Sequence, residues 1–354
     1  VLRELVVEGY RSLRSVRLSL GALDVIVGPN GCGKTNLYRS LLLLSEAAKG
    51  GLARALAEEG GMPSVVWAGR RLKKKPVRVG IEVAVDDFRY RIALGVPIPS
   101  DTLFKLDPEV KEEEVRYTGV PILARKGATA HLRDGDGQNV TFPLTISQRE
   151  SILSEIRDPK RFPTAAALRD LFSGWRFYHQ FRVDQDSPIR RPRTGVFTPV
   201  LANDGADLAA ALQTIREAGH GDALAAAVRL AFPGSGIVIE GGVEPFALHL
   251  ASADFPRPFS ALELSDGTLK YLCLVAALLS PRPPALLALN EPEASIHEDL
   301  LPALARLIVA CSERSQVLIT THSRILAVSI EELSGRRPIV LEKEAGETRV
   351  VSRG

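Results

Sequence analysis

The chain has 354 residues, 45% hydrophobic and 25% charged, with a formal net charge of +3. This balance is that of an ordinary globular protein and excludes disorder and collagen-like repeats. No apolar run reaches the length of a membrane span, the three cysteines show no metal-ligand spacing, and the opening residues lack a signal-peptide core, so a cytoplasmic protein with no membrane partner is expected.

In chain order, Leu2 to Val7 and Ser15 to Leu20 alternate apolar and polar residues around Gly9-Tyr10-Arg11-Ser12 and predict two strands. Asp24-Val25-Ile26-Val27 predicts a third, followed by a Gly/Pro/Asn loop and a helix from Lys34 to about Lys49. Leu52 to Glu59 extends or follows that helix. Strands are predicted at Val77 to Val85, Phe88 to Leu94, Glu113 to Tyr117 and, with a turn at Asp134-Gly135-Asp136-Gly137, within Ala130 to Phe142. They read as an antiparallel layer. Helices follow at about Gln148 to Ile156, Ala165 to Leu171, Ala206 to Ala218 and Asp222 to Phe232, then strands near Ile237 to Glu240 and Phe246 to Leu250. From Gly267 helices and strands alternate: helix 267–279, strand 285–289, helix Leu300 to Ser312, strand 316–320, a short helix, and strand 338–341. Such alternation implies a mainly parallel sheet with right-handed crossovers.

Gly28-Pro29-Asn30-Gly31-Cys32-Gly33-Lys34-Thr35 matches G-x-x-x-x-G-K-[ST] between a predicted strand and helix. Glycines let backbone N–H groups wrap phosphate oxygens, the helix start adds the positive end of its dipole, Lys34 reaches the β/γ-phosphates, and Thr35 can ligate Mg²⁺. Further on, Leu264-Ser265-Asp266-Gly267-Thr268 opens a predicted helix, where Ser265 is also a good helix cap. Ala285 to Leu289 is an apolar strand ending in Asn290-Glu291-Pro292-Glu293, and Val317 to Thr320 is another, ending in Thr321-His322-Ser323. Ser295-Ile296-His297-Glu298 fits a capping box, Ser295 with Glu298.

In this order the motifs resemble the ABC ATPases, and in particular the RecF/OLD/SMC-like branch. The resemblance covers about residues 1–50 and 258–330. It rests on the aromatic-Arg-Ser segment Tyr10-Arg11-Ser12, on GPNGCGKTN with Asn36 after Thr35, and on the Glu-Pro-Glu run before His297. It implies an α/β P-loop NTPase of the ABC/SMC-head type: a mainly parallel core sheet, an antiparallel β layer and an inserted α/β lobe. The core would come from about residues 1–75 and 255–354, with about 76–254 inserted. It further implies that Arg11, Ser12 and Asn30 to Asn36 (Gly31, Cys32, Gly33, Lys34 and Thr35 included) bind ATP. Ser265, Asp266 and Gly267 would act as a signature on the nucleotide of a second subunit, and Ser295 to Glu298 would take the place of the D-loop. Glu291 would polarise the attacking water and His322, as a neutral imidazole, would contact the γ-phosphate. Asn290 stands where the usual pattern has an Asp holding the Mg²⁺ shell; Thr35 and Gln148 complete the expected metal set.

Gln148 is taken as the Q-loop residue, with Gln180 the alternative, read as the polar edge of a core strand. The basic clusters Arg70-Arg71-Leu72-Lys73-Lys74-Lys75 and Arg190-Arg191-Pro192-Arg193 read singly as solvated loops; the resemblance raises DNA as their partner. The long stretch between Lys34 and Ser265 argues against a transporter subunit, the lack of heptads against SMC proper, and the short stretch after Ser323 against an attached Toprim domain. The expected protein is a stand-alone ATPase, dimerising on ATP, or the ATPase half of a system with a separately encoded nuclease or effector. Its setting would be DNA repair, genome maintenance or anti-phage defence.

Overall fold

The computed structural model describes residues 1–69, 78–97, 101–142 and 147–353. Along the chain run β1 (Leu2–Tyr10), β2 (Leu13–Ser19), β3 (Leu23–Val27), α1 (Lys34–Lys49), α2 (Leu52–Glu58) and the one-turn α3 (Met62–Val65). Then come β4 (Arg78–Val85), β5 (Phe88–Gly95), β6 (Glu109–Tyr117), β7 (Val120–Lys126), β8 (Thr129–Arg133), β9 (Asn139–Phe142), α4 (Pro163–Ser173) and β10 (Arg176–Tyr178). The next are α5 (Leu208–Ile215), α6 (Gly221–Ala231), β11 (Ser235–Glu240), β12 (Ala247–Ser252), β13 (Phe259–Ser260), α7 (Asp266–Leu278) and β14 (Leu286–Asn290). The chain closes with α8 (Leu301–Cys311), β15 (Gln316–Thr321), α9 (Arg324–Ser334), β16 (Ile339–Glu344) and β17 (Glu347–Arg353). These form two compact units, one of residues 1–21, 28–175 and 339–354, the other of 22–27 and 176–338.

In the first unit an antiparallel sheet runs in the order β2-β1-β4-β5-β6-β7-β8-β9. The strand residues alternate: Val79, Ile81, Val83 and Val85 of β4 are buried and their neighbours face outward. Strand β4 of this sheet pairs directly with β1. Helix α1 packs on α4 and α2. Beneath the sheet Glu113 is a fully buried carboxylate, bonded by the Tyr90 hydroxyl (3.0 Å), the Ser151 hydroxyl and the Ile152 N–H (3.0 Å), with Arg125 at 3.7 Å. Burial pushes its pKa up, against the pull of those partners. This network uses Ser151 and Ile152, so the helix expected over Gln148 to Ile156 is reduced to a 3₁₀ turn at Ile152–Glu155.

The second unit holds a parallel sheet in the order β10-β14-β15-β3 and an antiparallel ribbon β11-β12-β13. Buried on all sides, β14 and β15 read as the continuous apolar runs such sheets need. Helix α7 is buried from Leu269 to Leu278 and packs against α5, α6 and α8. Asn290 pairs in register with Thr320, and Thr321 with Val27, so the carboxyl ends of β14, β15 and β3 lie at one end of the sheet. That is the end at which α/β sheets bind ligands.

Candidate nucleotide site

Chain continuity carries β3 straight from Val27 into the glycine-rich loop. Gly33 caps α1 in the left-handed region, at φ 108°, with no side chain capping the helix and no acidic residue in its first turn. A Cβ on Gly33 would lie 2.2 Å from the Thr348 hydroxyl, so only glycine fits. The helix start thus offers amide N–H groups to an anion. The Lys34 ammonium is folded into the same loop, 2.6 Å from the Gly28 carbonyl and 3.2 Å from that of Pro29. Asn30 and Gly31 are exposed, Cys32 is buried, and Thr35 and Asn36 are half-buried.

The Arg11-Ser12 turn meets this loop. Ser12 Oγ accepts from Asn36 Nδ2 (2.9 Å) and lies 2.8 Å from Thr348 Oγ1. Arg11, itself at φ 48°, pairs with Glu59 at 2.8 Å, and Glu59 also accepts from the Tyr10 hydroxyl at 2.6 Å. Beside them a cleft of about 430 Å³ is lined by Arg11, Ser12, Gly31, Asn36, Trp67 and Lys343, among others. Trp67, Lys343 and Thr348 were not legible as site residues, since each stands in an ordinary loop or strand of the sequence. Gln148 is not in this cleft. It lines another with Thr102, Pro108 and Arg149, and its carbonyl accepts from the Val110 N–H (2.7 Å) at the edge of β6.

In the second unit the strand-end residues gather by register. Glu291 leaves β14 at φ 50°, its N–H held by the Thr320 carbonyl at 2.8 Å. Such a backbone in a non-glycine residue costs about 1–3 kcal/mol and persists only where its surroundings enforce it. Glu293 is buried, and its Oε1 accepts from the Thr321 hydroxyl (2.6 Å) and the N–H groups of His322 (2.9 Å) and Ser323 (3.2 Å). His322 Nδ1 lies 3.3 Å from the same oxygen, while the ring stays exposed. Glu293 therefore fixes the loop that presents His322.

Asn290 is buried and engaged on both sides: Oδ1 accepts from the Thr320 hydroxyl (2.7 Å) and Nδ2 lies 2.8 Å from His179 Nδ1. It does not fit a metal-binding carboxylate, having neither the charge nor an uncommitted oxygen, and among the described residues no group of three His, Cys, Asp or Glu could hold a metal. The uncapped amides and Lys34 at the start of α1 suit a nucleotide's phosphates, and Thr35 beside them carries a hydroxyl of the kind that ligates Mg²⁺. His179 and Gln180 follow β10, whose Tyr178 pairs with Leu289. Gln180, not Gln148, thus stands at the carboxyl end of the parallel sheet.

The segment expected to act as a signature starts α7. Ser265 Oγ accepts from the Thr268 N–H (3.1 Å), so the cap is real, and the residue is nonetheless exposed. A Cβ on Gly267 would lie 2.7 Å from the Ser295 carbonyl, and Lys270 Nζ reaches the Ala294 carbonyl. Burial lowers the pKa of that ammonium, with Glu293 and Glu291 opposing. The expected capping box is absent: Ser295 sits at φ 64°, outside cap geometry, and His297 caps the turn instead, accepting from the Asp299 N–H at 3.4 Å. Arg190 is no solvated cation but is wholly buried, and the run Arg70 to Lys75 lies outside the described residues.

The glycine-rich motif between β3 and α1 is that of a P-loop NTPase. The model of a family described as "AAA domain, putative AbiEii toxin, Type IV TA system" matches residues 25–329, and the chain belongs to that family. Its fold is similar to the Smc head bound to the C-winged helix domain of ScpA, with a TM-score of 0.56 at 16% identity over 99% of this chain and 97% of that one. It is also similar to the Smc head domain with an extended coiled coil from Pyrococcus furiosus, bound to the C-terminal domain of ScpA: TM-score 0.55, 15% identity, 99% and 95% covered. At such identities the likeness is one of fold. A comparison with curated proteins finds no match. Among the described residues no helix is long and apolar enough to cross a membrane.

Proposed function

We propose that the chain binds and hydrolyses ATP and that ATP joins two copies of it. The observation that carries this reading is the loop at the start of α1, where uncapped amides and the Lys34 ammonium converge. Both are what a polyphosphate needs. Asn30 to Asn36 hold the phosphates, with Arg11 and Ser12 beside them. Mg²⁺, when bound, neutralises phosphate charge and takes the Thr35 hydroxyl as a ligand. Glu291 accepts the proton of the attacking water, His322 contacts the γ-phosphate, and Ser265 and Gly267 of the second copy close over the nucleotide. The role is in DNA repair, genome maintenance or defence, in the cytoplasm. ATP turnover measured with and without double-stranded DNA ends tests it: stimulation by ends supports a DNA machine, and no turnover at all overturns the enzyme.

A second reading, a nucleotide switch that hydrolyses slowly and controls a separately encoded effector, is favoured by the engaged amide of Asn290. The toxin–antitoxin system named in the family description and the ScpA partner of the Smc heads support a head that works with another protein. Single-turnover hydrolysis with Mg²⁺ separates the two readings.

A further inference from the structure

A groove of about 240 Å³ in the second unit involves none of the residues assigned to the nucleotide. Part of its lining is small side chains, Ala202, Ala206, Ala209 and Ala210, where the chain enters α5. Another part is the segment from Arg193 to Thr198. Arg193 exchanges both backbone bonds with Phe246, at 3.1 and 2.7 Å, in an antiparallel bridge just before β12. A Cβ on Gly195 would lie 2.6 Å from the Phe246 ring, so the ring packs directly on that backbone. Beyond the bridge the segment is open. Among the described residues the N–H groups of Thr194, Gly195, Val196 and Phe197 donate to no protein acceptor. The side chains of Val196 and Phe197 are left exposed, at 75% and 65%.

The charges at the rim decide what such a groove takes. Arg193 is exposed, and its guanidinium makes one bond, from Nη1 to the Ala206 carbonyl at 3.4 Å. Arg191, also exposed, has Asp186 at 3.9 Å. Two guanidiniums so little engaged complement carboxylates. The alanines and Phe246 suit an apolar side chain, and the open N–H groups suit the carbonyls of an extended chain. We infer that this groove docks an extended acidic segment of a partner protein, with an apolar side chain beside the α5 alanines and carboxylates on Arg191 and Arg193. A nucleic-acid strand is a poorer match. Arg190, next in the run, is buried and committed to Asp266 and to the Ala261 and Leu264 carbonyls, so no continuous row of cations is offered. The Asp207 carboxylate also lines the groove, where it would repel a phosphate backbone.

The whole chain, without nucleotide, serves as bait for a phage-displayed library of random nonapeptides. Enriched sequences are then synthesised with a fluorescein label and measured by fluorescence polarisation, so the outcome does not depend on the ATP reading. Enriched peptides should carry a Leu, Ile or Phe flanked by Asp or Glu. Arg191→Glu with Arg193→Glu, both exposed and safe for folding, should weaken binding by about tenfold or more and flatten its salt dependence. Ala209→Leu, which fills the groove from α5, should weaken it as much. If melting curves show that the leucine disturbs folding, the charge reversal still decides. Enrichment of no acidic, apolar-anchored sequence would overturn the inference, as would peptides that bind the charge-reversed protein as tightly as the parent. So would a short oligothymidylate that displaces the peptides, is lost on charge reversal and is indifferent to Ala209→Leu, since the arginines would then belong to a nucleic-acid surface.

Discussion

Asn290 Nδ2 lies 2.8 Å from His179 Nδ1, joining the residue after which β14 ends to the one that follows β10. With Thr320 on its other side, the amide is held by protein partners and is poorly suited to a metal's water shell. ATP binding by the native chain is therefore expected to survive chelation of Mg²⁺. Asn290→Asp should lower the Mg²⁺ concentration for half-maximal turnover by about tenfold, since a carboxylate adds a full charge. An unchanged Mg²⁺ titration would place residue 290 outside the metal's reach.

Lys34→Ala removes a side-chain cation bonded within the glycine-rich loop. Turnover should fall by about a hundredfold or more, with thermal stability nearly unchanged. A phosphate-release assay and a melting curve read the two quantities separately.

Gly267→Ala should act through shape. A Cβ 2.7 Å from the Ser295 carbonyl forces the start of α7 away from that segment, at a cost of about 1–3 kcal/mol. Denaturant unfolding measures the cost. ATP binding by the monomer should persist while dimerisation is lost.

Glu293→Ala leaves the Thr321 hydroxyl and the N–H groups of His322 and Ser323 without their shared acceptor. A destabilisation of about 2–4 kcal/mol is expected. Turnover should drop as far as in His322→Ala, because the imidazole loses its support. If Glu293→Ala turns over normally, the carboxylate does not position His322.

The strongest local signals were readable from residues alone. Helix α1 begins and ends at the expected Lys34 and Lys49 because left-handed glycines, Gly33 and Gly50, bracket it. The parallel strands at Leu286 and Gln316 were legible as apolar runs. What depended on distant partners was not. Ser151 and Ile152 serve the buried Glu113 instead of building a helix, and β17 is a mostly polar strand held by pairing with β16. That Gln180 follows a strand of the parallel sheet was readable only once β10 was seen to pair with β14. Arg190 looked like its exposed neighbours, since burial of a cation leaves no mark on composition.

The central claim is that the γ-phosphate, held at Lys34 of one copy, is gripped by Ser265 and Gly267 of the next. Glu291→Gln keeps the shape of the side chain and removes its basicity, so ATP should persist once bound. Light scattering of this variant with saturating ATP measures the claim directly. The account predicts a dimer, with Lys34→Ala monomeric at the same concentration and Ser265→Arg, added to Glu291→Gln, abolishing the dimer while the monomer still binds nucleotide. A Glu291→Gln protein that stays monomeric under saturating ATP would contradict it.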